Sequence, residues 1–271
     1  MNTQRWPTQK ADRQTMTFRQ LARNSLQQIG LLEVAERAVY WARRVNPALI
    51  RRRRDLLCFY GQFLMQGDLC FDIGANYGGI TDIFLQLRAR VVSVEPQSTC
   101  VRKLQRFYGK RAAIVHKAVS DREGWAELWI CDQSAALSTL SGRWRKEGRY
   151  AREYSWTTNE RVPLTTLDCL ISEYGLPKFC KIDVEGFEDR VLLGLSRRIA
   201  FLSFEFVREN LDVAERCIEH LTSLAPAKFN CSLYESKRLC SPEWICGARL
   251  LEKLRATGED LLCGEIVVAC N

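Results

Sequence analysis

The stretch Leu69-Cys70-Phe71-Asp72-Ile73-Gly74-Ala75-Asn76-Tyr77-Gly78-Gly79 decides the fold. A short apolar run ends in an acid, and a glycine-rich turn follows it. Apolar residues then recur at helical spacing from Ile80 to Leu87. Val91-Val92-Ser93-Val94-Glu95 is the next apolar run, stopped by Pro96. Strand, glycine turn, helix and strand in that order open a βαβ unit.

The same rhythm continues downstream. Further strands are expected at Ala113–His116, Phe179–Asp183, Phe201–Phe206, Phe229–Tyr234 and Leu261–Val268, with an extra extended piece over Trp125–Cys131. Helices are expected up to about Tyr108 and over Thr166–Tyr174, Phe187–Leu195, Leu211–Leu221 and Glu243–Leu254. Residues 133 to 160 read as polar and irregular. The expected fold is α/β, a doubly wound and mostly parallel seven-stranded sheet. Upstream lies a helical extension, with one helix from Phe18 to Val45, ended by Asn46-Pro47, and another over Arg51–Met65.

Charge separates these two parts. The 271 residues carry 40 Lys+Arg against 32 Asp+Glu, a formal net charge of +8. Residues 1–55 hold 12 of the basic groups and four of the acids, which accounts for the whole excess. The chain therefore divides into a basic extension (1–55) and a formally neutral domain (56–271). A uniformly basic nucleic-acid-binding fold is excluded. Arg51–Arg54 and the amphipathic helix before them suit a lid, an acidic partner or peripheral contact with an anionic membrane. No secretory signal and no transmembrane segment are expected, because charges interrupt the N-terminus and the apolar run at 56–67 is too short. Twelve cysteines without C-x-x-C spacing read as free thiols of a reducing cytoplasm. With two histidines, His116 and His220, both read as structural, no zinc site is expected, and a divalent metal held by Asp183, Glu185 and Glu205 is the weaker alternative to no metal.

In doubly wound sheets ligands bind at the carboxyl ends of the strands, where strand order reverses. The Gly74 turn belongs there. Gly74 permits close backbone approach, and Gly78 lets the helix start pack against the strand. Asp72 places a carboxylate at the strand end. Glu95 closes the second strand, where an acid can chelate two ribose hydroxyls. A dinucleotide turn needs Gly at position 76, which is Asn, and Asp72 beside a pyrophosphate is repulsive. A nicotinamide-dependent oxidoreductase is thus the weaker alternative. A cationic, phosphate-free adenine nucleoside reverses that sign, and S-adenosyl-L-methionine is one.

Five blocks occur in order: Phe71–Gly78; Val94-Glu95-Pro96; Ala118-Val119-Ser120-Asp121 with Gly124; Thr166-Leu167-Asp168; and Lys181-Ile182-Asp183-Val184-Glu185-Gly186-Phe187-Glu188. Together, over residues 56–206, they resemble the FkbM family of S-adenosylmethionine-dependent methyltransferases. The resemblance implies a class I methyltransferase fold and methylation of a hydroxyl, on a sugar, a glycan or a secondary metabolite. It implies that Asp72, Gly74 and Asn76 line the methionine end of the cofactor, that Glu95 holds the ribose, and that Ala118 meets the adenine. It also implies that Asp183 faces the sulfonium and the acceptor.

Lys181, Asp183 and Glu185 alternate, and share a face if the strand runs that far. An alcohol is a poor nucleophile unless its proton is accepted as it attacks, so a positioned carboxylate is the expected general base. Asp183 and Glu185 are the candidates. The competing role for both is to cap the next helix. Glu205, in an apolar strand, is a third catalytic candidate, since a carboxylate there needs a partner. The Arg- and aromatic-rich segment 143–156 is expected to help select the acceptor. A nucleic-acid methyltransferase using the basic arm is disfavoured by the neutral balance after residue 55.

Overall fold

The computed structural model describes residues 47–234 and 236–270. The helix expected at 18–45 lies outside them. Contacts divide the chain into Met1–Arg54 and Asp55–Asn271. Helix α1 (Pro47–Tyr60) crosses that division and buries Leu56, Phe59 and Tyr60 in the second unit.

The second unit is built on a sheet of β1 (Leu69–Ile73), β2 (Arg90–Val94), β3 (Ala112–Val115), β7 (Phe179–Ile182), β8 (Phe201–Val207), β9 (Ala227–Leu233) and β10 (Cys263–Cys270). Its spatial order is β3-β2-β1-β7-β8-β10-β9. All neighbours are parallel except β10, which runs antiparallel to both β8 and β9. This is the expected doubly wound, mostly parallel seven-stranded sheet. Strand order reverses between β1 and β7, which pair through Cys70↔Phe179 to Ile73↔Ile182.

All five residues of β1 and all four of β7 are buried, because helices cover both faces. Alternation sends successive side chains to opposite layers. Phe71, Ile73 and Ile182 enter one core with α5 (Leu167–Tyr174), α6 (Glu188–Leu193), α7 (Leu211–Leu224) and α8 (Gly247–Ala256). Cys70 and Phe179 enter the other, with Phe59, Tyr60, Phe63 and Phe84. There Tyr60 packs edge-on against Phe84 and Phe179, with ring centroids 5.1 and 5.5 Å apart.

A second sheet departs from the expected layout. Strands β4 (Ala118–Val119), β5 (Gly124–Ile130) and β6 (Thr158–Thr165) form a three-stranded layer in the order β4-β6-β5. The region read as irregular contains helix α4 (Gly142–Glu147), capped by the Ser141 hydroxyl on the Trp144 N–H, and the start of β6. Two boundaries also shift: α1 ends at Tyr60, before a turn, and α8 begins at Gly247. Among the described residues no helix is long and apolar enough to cross a membrane.

Candidate active site

At the end of β1 the chain turns through Gly74 at φ +78°, Asn76 at +49° and Gly78 at +82°. Gly74 and Ala75 donate to the Val94 carbonyl at 2.9 and 3.1 Å, which ties the turn to β2. The close neighbour that Gly74 accommodates is the chain itself: a Cβ there would lie 1.8 Å from the Asp183 carbonyl oxygen. Gly78 leads into α2 (Gly79–Gln86), and a Cβ on it would strike the Tyr108 ring of α3 (Ser98–Tyr108).

Glu95 is 6% exposed and accepts two backbone hydrogen bonds, from Asn76 at 2.7 Å and Gln97 at 2.8 Å. Burial outweighs those bonds and raises its pKa to about 7. A cavity opens beside it. Of the residues expected around a cofactor, Gly74, Asn76, Glu95, Ala118 and Asp183 line this cavity, and so does Glu185. Asp72 and Gly78 are not among its lining residues. Asp72 is 1% exposed and turned beneath the turn, where its Oδ2 accepts the Thr81 hydroxyl at 2.6 Å. Its Oδ1 has no hydrogen-bond partner.

The adjoining wall comes from the end of β7. The strand stops at Ile182, and Glu185 and Gly186 follow in left-handed backbone, at φ +54° and +83°. A glutamate held there is unusual and costs of order 1–3 kcal/mol. The alternation of Lys181, Asp183 and Glu185 therefore does not continue as strand. The turn nonetheless gathers Asp183, Glu185 and Glu205, one oxygen of each lying within 4.8 Å of the others. No side chain caps the next helix; Glu188, 3% exposed, instead ties down the turn before it by accepting the Val184 and Gly186 N–H groups at 3.2 Å each.

Electrostatics separates the three clustered acids. Burial, then the neighbouring acids, push Glu185 and Glu205 well above the ordinary carboxylate range. Asp183 moves the other way, because Lys181 outweighs its burial. The Lys181 ammonium lies 2.7 Å from Asp183 Oδ2. Glu205 shares a hydrogen bond with Asp183 and, of the two, holds the proton.

Several partners carry no spacing signal. Glu265, 6% exposed, accepts from Tyr60 and Ser203 and pairs with Lys237 at 3.0 Å. Lys181 itself was legible as a lysine in an apolar strand flanked by acids, a pattern that requires charge pairing. His116 and His220 lie on backbone carbonyls of Pro96 and Leu195, at 2.9 and 3.0 Å.

The segment 143–156 is anchored rather than open. Trp144 and Trp156 are buried, Arg143 pairs with Asp212, and Arg149 with Glu209. Just before it, Ala135, Ala136, Ser138, Thr139 and Leu140 line the cavity, and the Thr139 hydroxyl donates to the Glu185 carbonyl at 2.8 Å.

Residues 72–220, more than half of the chain, match the family model of the methyltransferase FkbM domain. The chain belongs to the FkbM methyltransferase family. No curated protein sequence matches this FkbM methyltransferase significantly. Among solved structures it is similar to the precorrin-6y C5,15-methyltransferase of Geobacter metallireducens, at 12% identity over 81% of this chain and 86% of that one, with a TM-score of 0.43. It is also similar to a TehB-like SAM-dependent methyltransferase of Corynebacterium glutamicum (12%, 88% and 97%, 0.42) and to an rRNA methylase of Streptococcus thermophilus (10%, 83% and 96%, 0.36).

The methyl donor of this FkbM methyltransferase is S-adenosyl-L-methionine. The cavity suits it chemically. Glu95, Asp183 and Glu185 are carboxyl groups on its wall, and among the described residues Lys117 is the one basic group that lines it. A ligand carrying an ammonium and a sulfonium matches that balance, whereas a pyrophosphate opposes it.

Proposed function

We propose that this FkbM methyltransferase methylates a hydroxyl oxygen of a sugar, a glycan or another small metabolite, through the domain at residues 56–271. The observation that carries the reading is the acid cluster at the end of β7: Asp183 and Glu185 line the cavity together with Gly74 and Glu95, and Glu205 stands behind them within 4.8 Å. S-adenosylmethionine supplies a methyl group already activated for in-line displacement. The chain's own task is then alignment of the acceptor and removal of its proton.

The residues divide that task. Glu95 accepts from ribose hydroxyls, Gly74 and Asn76 border the methionine portion, and Ala118 meets the adenine. Asp72 and Gly78 act from beneath, by holding the turn through Thr81 and against Tyr108. Asp183 is the fixed anion that orients the acceptor hydroxyl. Glu185, which lines the cavity beside Asp183, is the general base: burial and the neighbouring acids make its carboxylate the stronger proton acceptor of the two. Glu205 keeps the shared proton off Asp183. These acids favour a neutral or cationic acceptor and disfavour a phosphate-rich one such as nucleic acid. The twelve free thiols suit a reducing cytoplasm.

The test is transfer of label from S-adenosyl-[methyl-¹⁴C]methionine into a metabolite extract, with the product's methylated atom identified. Label on a hydroxyl oxygen is expected. Asp183→Asn and Glu185→Gln should each lose most turnover, about 10²-fold or more, while calorimetry shows S-adenosylhomocysteine still bound. Label on nitrogen or carbon, or full turnover in both variants, would overturn the reading.

A further inference from the structure

We propose that Lys181 is a positioning residue for methyl transfer, holding the Asp183 carboxylate at the cavity wall as an anion while Glu205 carries the proton that those two acids share. The inference rests on the role given to Asp183 above and adds the group that makes that role attainable.

The argument begins with where Lys181 sits. It is on β7, between Asp72 on β1 and Ser203 on β8, in direct register with both. It is 7% exposed, and full burial of an ammonium is tolerated when charge partners surround it. Asp183, two residues on, receives its hydrogen bond at 2.7 Å. An ammonium so paired stays protonated and is no proton acceptor itself; burial would lower its pKa, but Asp183 and Asp72 raise it further.

The groups around Asp183 come from every neighbouring element. Asp72 contributes from β1, Glu185 from the turn after β7, Glu188 from the start of α6 and Glu205 from β8, with Glu265 on β10 acting on Lys181. Lys237 reaches in from the loop after β9, and Tyr60 from α1 through Glu265. Acids outnumber cations in this list. Like charges so close cannot all ionise, and an acid left unpaired there takes up a proton. Lys237 is committed to Glu265 at 3.0 Å, which leaves Lys181 as the cation on Asp183. Without it, the proton shared with Glu205 settles on Asp183. The site then presents a neutral carboxyl where it needs an anion.

The experiment is a ¹³C NMR titration of the aspartate carboxyls in the whole protein, with the Asp183 signal assigned by its disappearance in Asp183→Asn. In the wild type that signal should stay anionic to below about pH 4, under the ordinary aspartate value. In Lys181→Met it should titrate about two pH units or more higher. The acid limb of labelled methyl transfer into the metabolite extract should move up with it, by at least about tenfold in rate at pH 6. Calorimetry with S-adenosylhomocysteine verifies that the variant is folded.

An Asp183 that titrates normally in the wild type overturns the proposal without any lysine variant being made. So does a Lys181→Met enzyme whose loss of rate is uniform across pH. Full turnover in Asp183→Asn strikes the proposed function instead, and leaves the titration result standing.

Discussion

The carbonyl oxygen of Asp183 occupies the space where a side chain on Gly74 would begin: a Cβ built on Gly74 lies 1.8 Å from it. The two main loops of the site, one after β1 and one after β7, are thus in backbone contact. The Asp183 N–H adds a 3.0 Å bond to the Ile73 carbonyl.

Gly74→Ala should therefore be severe. It forces a side chain into left-handed backbone at φ +78° and against a carbonyl that cannot step aside. Strain and overpacking together should cost about 2–5 kcal/mol, read from urea unfolding, and should abolish S-adenosylhomocysteine binding. The same change at Gly67, also at positive φ but with nothing within 4 Å, should cost far less.

Glu95 gives the cofactor site a pH dependence with a definite sign. Its pKa is raised to about 7, so its anionic fraction grows as pH rises through neutrality. S-adenosylhomocysteine affinity, measured by calorimetry, should therefore strengthen between about pH 6 and 8 as the carboxylate forms to accept the ribose hydroxyls. Glu95→Gln should bind about tenfold or more weakly and show a flat profile over that range. Because the folded state holds this proton more tightly than the unfolded chain, ionising Glu95 also lowers stability as pH rises from about 4.5 toward 7.

Arg149 should matter to stability more than a surface arginine does. Its side chain is 13% exposed and meets Glu209 in a two-point pair, Nε to Oε1 and Nη2 to Oε2 at 2.8 Å each. It also donates to the Leu262 carbonyl at 3.0 Å. Arg149→Ala should cost about 1–3 kcal/mol in urea unfolding. The double change with Glu209→Ala should cost less than the sum of the two single changes. Glu209, whose pKa is lowered, contributes this stability above its ordinary range and loses it as pH falls through the lowered value.

Much of the sheet was legible because its strands are buried on both faces and read as unbroken apolar runs. The turn at Gly74 and the block from Lys181 to Glu188 were legible because their glycines and acids stand at fixed offsets. Strand β6 was missed: it opens on Thr158-Asn159-Glu160, too polar to signal a strand, and its apolar face shows only at Val162 and Leu164. Asp72 was read correctly as an acid at a strand end, but spacing cannot say that its carboxylate turns under the loop to Thr81. The pairing of Tyr60 with Glu265 spans 205 residues, and only the folded chain brings them together. The arginines at 143 and 149 looked free to meet a ligand because their partners, Asp212 and Glu209, lie far ahead on another element.

The hairpin of β5 and β6 closes with Ile130 directly opposite Thr158, so the residues between them leave and return at one point. Five of those residues form cavity wall, and none belongs to the seven-stranded sheet. Lengthening or exchanging a loop whose ends already meet costs little closure entropy, about 0.6 kcal/mol per doubling. The part of the segment before Ser141 can therefore be resized while the sheet stays whole: it can reshape one wall of the cavity without moving the turns at Gly74 and Asp183.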